Sequence, residues 1–426
     1  MSFLADYNKL SDDISDPQEL AKAQIGLVQL WLSTKTREMF DDLRENDPIF
    51  TSPRALIVTK YRDVMEVLHQ DKIFSELLYA PRMERISGAF FLGMQNTPQY
   101  EREVSIMRFM ASRFDLERIR DIVTRSANEL VESVKSARRI DVVSQLSRVV
   151  PVQFIGDYLG VPGPDDRTMM KWMRALFWDL FANLQNDEDV IRAADEAGAL
   201  LREYLKQLIA DRKAALTGGG AVPDDVLTRL LQLQCAPTNS LDDDGIRRNL
   251  TGIMIGAVDT TNECVANILD VLLDRPDQLK EAHDAAAADA DDKLSQYLFE
   301  ALRFKPQHPF LYRICTDDYR LARGTERERM VPQGSFVIAA VWSAMFDADI
   351  LDNPDQFVPG RPNDNYLLFG AGRHACFGKY INRVQIPAIC KSVLRLNDLR
   401  RAPGPEGHIQ LEGPFPDRFV LEFDGS

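Results

Sequence analysis

Along most of this chain apolar residues recur at the three-to-four-residue spacing of amphipathic helices, and only short stretches alternate or cluster as strands do. Asp16-Pro17-Gln18-Glu19 predicts a helix start, with Asp16 as cap, Pro17 in the first turn and an acid three residues after the cap; the helical pattern continues to about Asn46. Residues 48–52 and 55–59 read as two strands joined through Pro53-Arg54, a hairpin, and Tyr61–His69 as a short amphipathic helix. The stretch 76–93 shows no clear period. Asn96-Thr97-Pro98-Gln99 opens a helix reaching about Met110, and long helical patterns follow over 116–135 and 141–159, the second stopped by Gly160.

The longest predicted helix covers 242–274. Its apolar positions, among them Ile253, Met254, Ile255, Val258, Val265, Ile268 and Leu269, fall on every face, which marks a helix enclosed by protein. Inside that apolar wall, Gly256-Ala257-Val258-Asp259-Thr260-Thr261 sets a glycine, an acid and two hydroxyls against helix propensity, so these groups need partners. The last long helix follows residue 378 and contains Pro387, which costs about 3 kcal/mol in a regular helix and predicts a kink near Arg383.

No linker divides the 426 residues; Gly218-Gly219-Gly220 lies between helical patterns as a loop. The reading is one domain, 1–426, mainly α with a small β region. A net charge of −14 argues against nucleic-acid binding. Five scattered cysteines imply no disulfide framework, and the first residues carry neither a signal pattern nor an apolar run of membrane length. A soluble, cytoplasmic protein without a membrane anchor is expected, as a monomer.

Leu368-Phe369-Gly370-Ala371-Gly372-Arg373-His374-Ala375-Cys376-Phe377-Gly378 combines three glycines, a histidine and a cysteine. It reads as a loop that presents a sulfur just before a helix N-terminus, where the helix dipole and unpaired amides favour the metal-binding thiolate. The stretch resembles the haem-binding loop of the cytochrome P-450 family, F-G-x-G-x-H-x-C-x-G, with every fixed position filled. The resemblance implies the fold of that family, a single haem-thiolate domain holding haem b, with Cys376 as iron ligand and Phe369, His374 and Gly378 around the cofactor.

Other segments carry the resemblance further. Gly256 to Thr261 is similar to the family's [AG]-G-x-[DE]-T-[TS], with Ala257 replacing the second glycine; opening the helix there would let oxygen or water lodge beside Thr260, with Asp259 relaying protons. Glu300-Ala301-Leu302-Arg303 matches E-x-x-R, and Arg361, in Phe357-Val358-Pro359-Gly360-Arg361-Pro362, is the arginine that the family packs against that pair, so a buried Glu300-Arg303-Arg361 network is expected to pin the loop before Cys376. Arg313 stands where relatives bind a haem propionate. Where the family often carries H-x-x-x-R, this chain has Tyr100 and Val104. Tyr100 is the first choice for a propionate donor, with Arg102 and Arg108 of the same helix as alternatives.

The implied reaction is insertion of one oxygen atom from O2 into an apolar small molecule, as a hydroxylation or epoxidation, with electrons from a ferredoxin and ferredoxin reductase. Seven basic residues between Arg373 and Arg401, against the single acid Asp398, would steer an acidic partner. Phe90, Ile253, Ala257, Pro309 and Phe310 are the expected pocket lining, although Phe90 and Phe91 read equally well as core. The helices around 165–214 correspond to the family's movable lid. Competing readings are a peroxide-using or isomerase-type enzyme on the same fold, and a haem sensor or carrier without turnover.

Overall fold

The computed structural model describes residues 2–183 and 185–424. Its backbone forms two compact units, Met1–Leu78 with His308–Cys376, and Tyr79–Gln307 with Phe377–Ser426.

The first unit holds the larger sheet. Ile49–Thr51 and Leu56–Val58 pair antiparallel, as the hairpin reading expected, with Ile49 opposite Val58. Leu56–Val58 then runs parallel to Phe336–Ala339, which pairs antiparallel with Leu311–Cys315, and that strand with Phe74–Ser75. Asp16 caps Pro17–Thr34 by accepting the amides of Gln18 and Glu19, each at 2.9 Å. The predicted 16–46 helix is two helices, Pro17–Thr34 and Thr36–Asn46, parted at Lys35, whose φ of −143° leaves the helical region. The hydroxyls of Thr34 and Thr36 donate to the Leu30 and Leu32 carbonyls and compete with the regular ladder at that point. Phe3, Trp31, Phe40 and Phe50 are buried together with strand residues Ile57 and Ile338. The Phe3 ring meets Trp31 and Phe50 edge-on at 5.6 and 5.4 Å.

The second unit is almost wholly helical. The 242–274 pattern resolves into Asp243–Ile255 and Val258–Leu273, interrupted at Gly256-Ala257. Val258–Leu273 packs against Asp291–Phe304, Lys379–Leu394 and Asp166–Phe177. Lys379–Leu394 passes Pro387 without a break in the helix; Ile386, Pro387 and Ala388 are all buried, and this packing offsets the local cost of proline. In the 141–159 region Arg139–Asp141 is a strand, and Val149–Phe154 is flanked by wide π-type turns, Val143–Ser147 and Ile155–Leu159. The aperiodic 76–93 stretch holds a seven-residue helix, Ala80–Ile86, too short to show a period. Two small sheets complete the unit: Arg139–Asp141, Val420–Asp424 and Asn397–Arg401, and the hairpin Gln410–Glu412/Phe415–Arg418.

Candidate active site

The cysteine loop closes on itself. The Cys376 amide donates to the Phe369 carbonyl at 2.9 Å and the Gly370 amide to Leu367 at 3.0 Å, and Cys376 itself is exposed. Gly372 has φ +73°, and a Cβ there would come within 2.1 Å of the Leu68 carbonyl, so only glycine lets the loop lie this close to the end of Tyr61–His69. Gly378 caps Lys379–Leu394 and accepts the Asn382 amide at 2.8 Å.

Beside the loop lies an anion seat that the sequence did not reveal in full. Nη2 of Arg313 stands 2.8 Å, and Nε2 of His374 3.1 Å, from the carboxylate of buried Glu76. The alignment is poor, and neither Glu76 oxygen accepts a regular hydrogen bond. Burial pushes the Glu76 carboxyl up to about 7 against the pull of Arg313. Burial, aided by the Arg313 charge, pushes His374 down to about 4, leaving a neutral imidazole. Arg373 pairs with Asp71 at 3.1 Å. A carboxylate therefore already sits between Arg313, the side chain expected to take a haem propionate, and His374, expected beside the cofactor, and the thiol is presented from the same unit. This donor set suits haem: a thiolate for the iron, a guanidinium and an imidazole for carboxylates.

In the second unit, one stripe of the broken central helix stays partly accessible: Ile253, Gly256, Ala257, Thr260, Glu263 and Cys264, while every other residue from Thr251 to Leu269 is buried. That spacing is one helix face, as a flat ligand lying along the helix requires. At the break, the Ala257 amide turns to the Met254 carbonyl at 3.0 Å, and the Thr260 hydroxyl donates to the Gly256 carbonyl at 2.6 Å. Glu263, hydrogen-bonded by Gln307 at 3.3 Å, is pushed up to about 8 by burial.

Asp259, 1% exposed, is not free in the helix. Its Oδ1 accepts from Nε and Nη2 of Arg174 at 3.1 and 3.0 Å, with Nε of Arg148 at 3.5 Å, while Oδ2 accepts no hydrogen bond. Arg174 continues outward to Glu412 at 2.7 Å, Asp417 at 3.3 Å and the Pro416 carbonyl at 2.9 Å. Sequence reasoning missed both arginines. A charged residue among Trp172, Met173 and Phe177 on an apolar helix face was the available signal.

Glu300 and Arg303 are both fully buried and doubly joined, at 3.0 and 2.7 Å. Arg361 donates to the carbonyls of Asp352 and Asn353, each at 2.8 Å, and of Gln356 at 3.2 Å, clamping that loop. Tyr100 is buried on one face of Pro98–Met110, whereas Arg102 and Arg108 lie on the exposed face and Arg102 donates to the Ser240 carbonyl. Phe90 is buried with its ring against Gly252, where a Cβ would come within 2.3 Å. Phe310, in the first unit with Pro309, meets Phe40 edge-on at 6.1 Å in the aromatic core.

The basic segment needs correction. Arg373, Lys391, Arg395, Arg400 and Arg401 are each paired with the protein's own aspartates, which leaves Lys379 and Arg383 without an ion pair among the described residues. The sign reversal along the sequence is largely neutralised in space.

A family model described as cytochrome P-450 matches residues 29–415. The chain belongs to the cytochrome P-450 family. A steroid C26-monooxygenase of Mycolicibacterium smegmatis is 26% identical over 389 residues, 90% of this chain and 92% of that protein. An erythromycin C-12 hydroxylase of Saccharopolyspora erythraea is 28% identical, covering 83% of each. Among solved structures, CalO2 superposes with a TM-score of 0.77 at 21% identity, over 91% of this chain and 95% of that one. The fold is thus the mainly helical cytochrome P-450 fold with small sheets, family membership implies a haem cofactor, and these named relatives are oxidoreductases. Among the described residues, no helix is long and apolar enough to cross a membrane.

Proposed function

We propose that this cytochrome P-450 is a monooxygenase that places one oxygen atom from O2 into an apolar organic molecule, by hydroxylation or epoxidation, with electrons from a ferredoxin and its reductase in the cytoplasm. The single observation that carries the reading is the central helix, opened at Gly256-Ala257 with Thr260 on its accessible stripe and Asp259 next to it. A sensor or carrier has no use for an acid and an alcohol set at such a break.

Cys376 would ligate the iron of haem b as thiolate, Phe369 and Gly378 would shape its loop, and Arg313, His374 and Tyr100 would take the propionates. When bound, haem supplies the redox centre at which O2 is reduced and an oxygen atom transferred. Ile253 and Ala257, on the accessible stripe, offer apolar surface that orients a substrate and excludes water, with buried Phe90 backing them through Gly252. The Thr260 hydroxyl donates its hydrogen to the Gly256 carbonyl and so turns its oxygen, as an acceptor that can hold a proton-carrying water, to the accessible stripe. Asp259 can take up a proton at Oδ2, while Arg174 holds Oδ1 and reaches Glu412 and Asp417 at the surface. Exposed Phe109 and Phe114, and Lys379 and Arg383 of the same unit, offer apolar and basic surface for an electron donor.

The test is a reconstituted assay. With ferredoxin, reductase, NAD(P)H and a substrate found by a haem-spectral screen, product should form in proportion to NAD(P)H, and Thr260→Ala should divert electrons to hydrogen peroxide while haem content stays unchanged. The reduced carbon monoxide complex should show the long-wavelength band of thiolate ligation, lost in Cys376→Ser. Turnover with peroxide alone, unaffected by Thr260→Ala, would establish the peroxide-using alternative.

A further inference from the structure

Behind Asp259, on the outer side of Arg174, lies a groove of about 650 Å3 that the monooxygenase reading does not use. It runs between Asp166–Phe177, the first turn of Glu188–Thr217 and the Glu412 end of the small hairpin. Four cations line it, Arg148, Arg167, Lys171 and Arg174, against two acids, Asp189 and Glu412. A local excess of positive charge stands out on a chain of net charge −14. Between the cations the wall is apolar, formed by Met170, Trp178 and Val190 among others, and its size is that of a small-molecule site.

The cations are unequally satisfied. Lys171 and Arg167 have no ion pair among the described residues, and Nε of Arg148 is buried without a hydrogen bond. Arg148 is held below the usual arginine range by burial, with the neighbouring Arg174 charge adding to the effect against Asp259, Asp417 and Glu412. Arg174 is shared: one side grips buried Asp259, the other grips Glu412 and Asp417, which are half-exposed and whose ion pairs are correspondingly weak. An incoming oxyanion can displace those surface carboxylates at little cost and complete the coordination of Arg148 and Arg174. Glu412 itself shows how an acid seats there, 2.7 Å from Nη1 of Arg174.

We propose that this groove binds a small amphiphilic anion, an oxyanion head with an apolar body, whose head displaces Glu412 and Asp417 from Arg174, the guanidinium that also holds Asp259. The head lies among Lys171, Arg148 and Arg174, and the body lies along Met170, Trp178 and Val190. Binding and the Arg174–Asp259 pair are thereby coupled, and the coupling acts in both directions. This holds whether or not Asp259 relays protons, because it rests on the ion pairs alone.

The experiment uses the haem-loaded protein with sodium dodecanoate, dodecyl phosphate, dodecanol and inorganic phosphate, each below its micelle concentration. Binding is read by calorimetry and by tryptophan fluorescence, and haem absorbance reports separately on occupation of the active site. Dodecanoate or dodecyl phosphate should give a saturable fluorescence change that Trp178→Phe removes, and comparing the two heads tells carboxylate from phosphate sources. The double variant Arg167→Glu/Lys171→Glu, both exposed positions, should weaken this binding at least tenfold while leaving any haem spectral shift unchanged. Asp259→Asn, which takes the buried negative charge away from Arg174 and leaves its positive charge to the anion, should tighten it several-fold. The proposal fails if dodecanol binds as well as dodecanoate, if the double variant binds with unchanged affinity, if the only binding is the one reported by the haem, or if Asp259→Asn leaves affinity unaltered.

Discussion

Two buried ion pairs in the helical unit, Glu300 with Arg303 and Asp259 with Arg174, look alike as chemistry and differ in how they are built. Glu300 and Arg303 are three residues apart on one helix, both fully buried and joined by two aligned contacts. Asp259 and Arg174 come from helices 85 residues apart in sequence; only Oδ1 of the acid is used, and the arginine divides its remaining donors between two half-exposed carboxylates and a carbonyl. The first pair lies fully buried within one helix turn, so it fixes structure. The second can be redistributed, because weak surface contacts can be exchanged without uncovering a charge. A buried charge that must act in a reaction belongs in the second kind of arrangement.

That contrast predicts a ranking. Glu300→Ala leaves the Arg303 guanidinium buried without its carboxylate and should cost about 3–5 kcal/mol, seen as a lowered denaturant midpoint and little haem-loaded protein. Normal expression with full haem content would remove the distinction between the two pairs. Asp259→Asn keeps shape and loses the titrating group, so turnover should fall about 100-fold or more while the folded, haem-loaded yield changes little. If yield falls as far as for Glu300→Ala, Asp259 is structural.

Arg174→Gln should cost less than Glu300→Ala, about 1–3 kcal/mol in urea unfolding, because Arg148 remains 3.5 Å from Asp259 and can take its place. An equal loss for both variants would mean that the Asp259 pair is as fixed as the other. The smallest effect concerns Glu263, whose carboxyl burial raises from 4.5 to about 8. The folded state keeps this proton to higher pH than the unfolded chain, so the contribution favours folding below about 4.5 and is lost as pH rises through 8. Glu263→Gln has no such loss, and its Tm should gain on wild type by a few degrees between pH 5 and 8. A Tm difference independent of pH would exclude Glu263 as a buried titrating group.

How much could be read in advance depended on the sequence distance over which each feature is decided. The Asp16 cap and its two amide contacts are decided within four residues, and they stand as the pattern indicated. The cysteine loop is likewise local: its glycines, its positive φ values and the Cys376 amide contact all lie within the eleven residues that first drew attention. The 242–274 run showed where a helix lies and that every face is covered, but periodicity is blind to a single opened turn. Gly256-Ala257 signalled the place, and the break itself is the finding. The basic run from Arg373 to Arg401 misled because charge along a chain says nothing about the aspartates, Asp289, Asp270 and Asp71, that the fold brings to it.

The sequence by itself determined the family, the presented thiol, the acid and alcohol of the central helix and the Glu300–Arg303 pair, since each is a short run whose spacing fixes which side chains share a loop or a helix face. Only the tertiary structure decided which groups hold those residues: Arg174 and Arg148 on Asp259, and Glu76 between Arg313 and His374. Partners for a buried charge are chosen by distance in space, where electrostatics and hydrogen bonding act over a few ångströms, and segments far apart in the chain can satisfy that demand in many ways that no local pattern records.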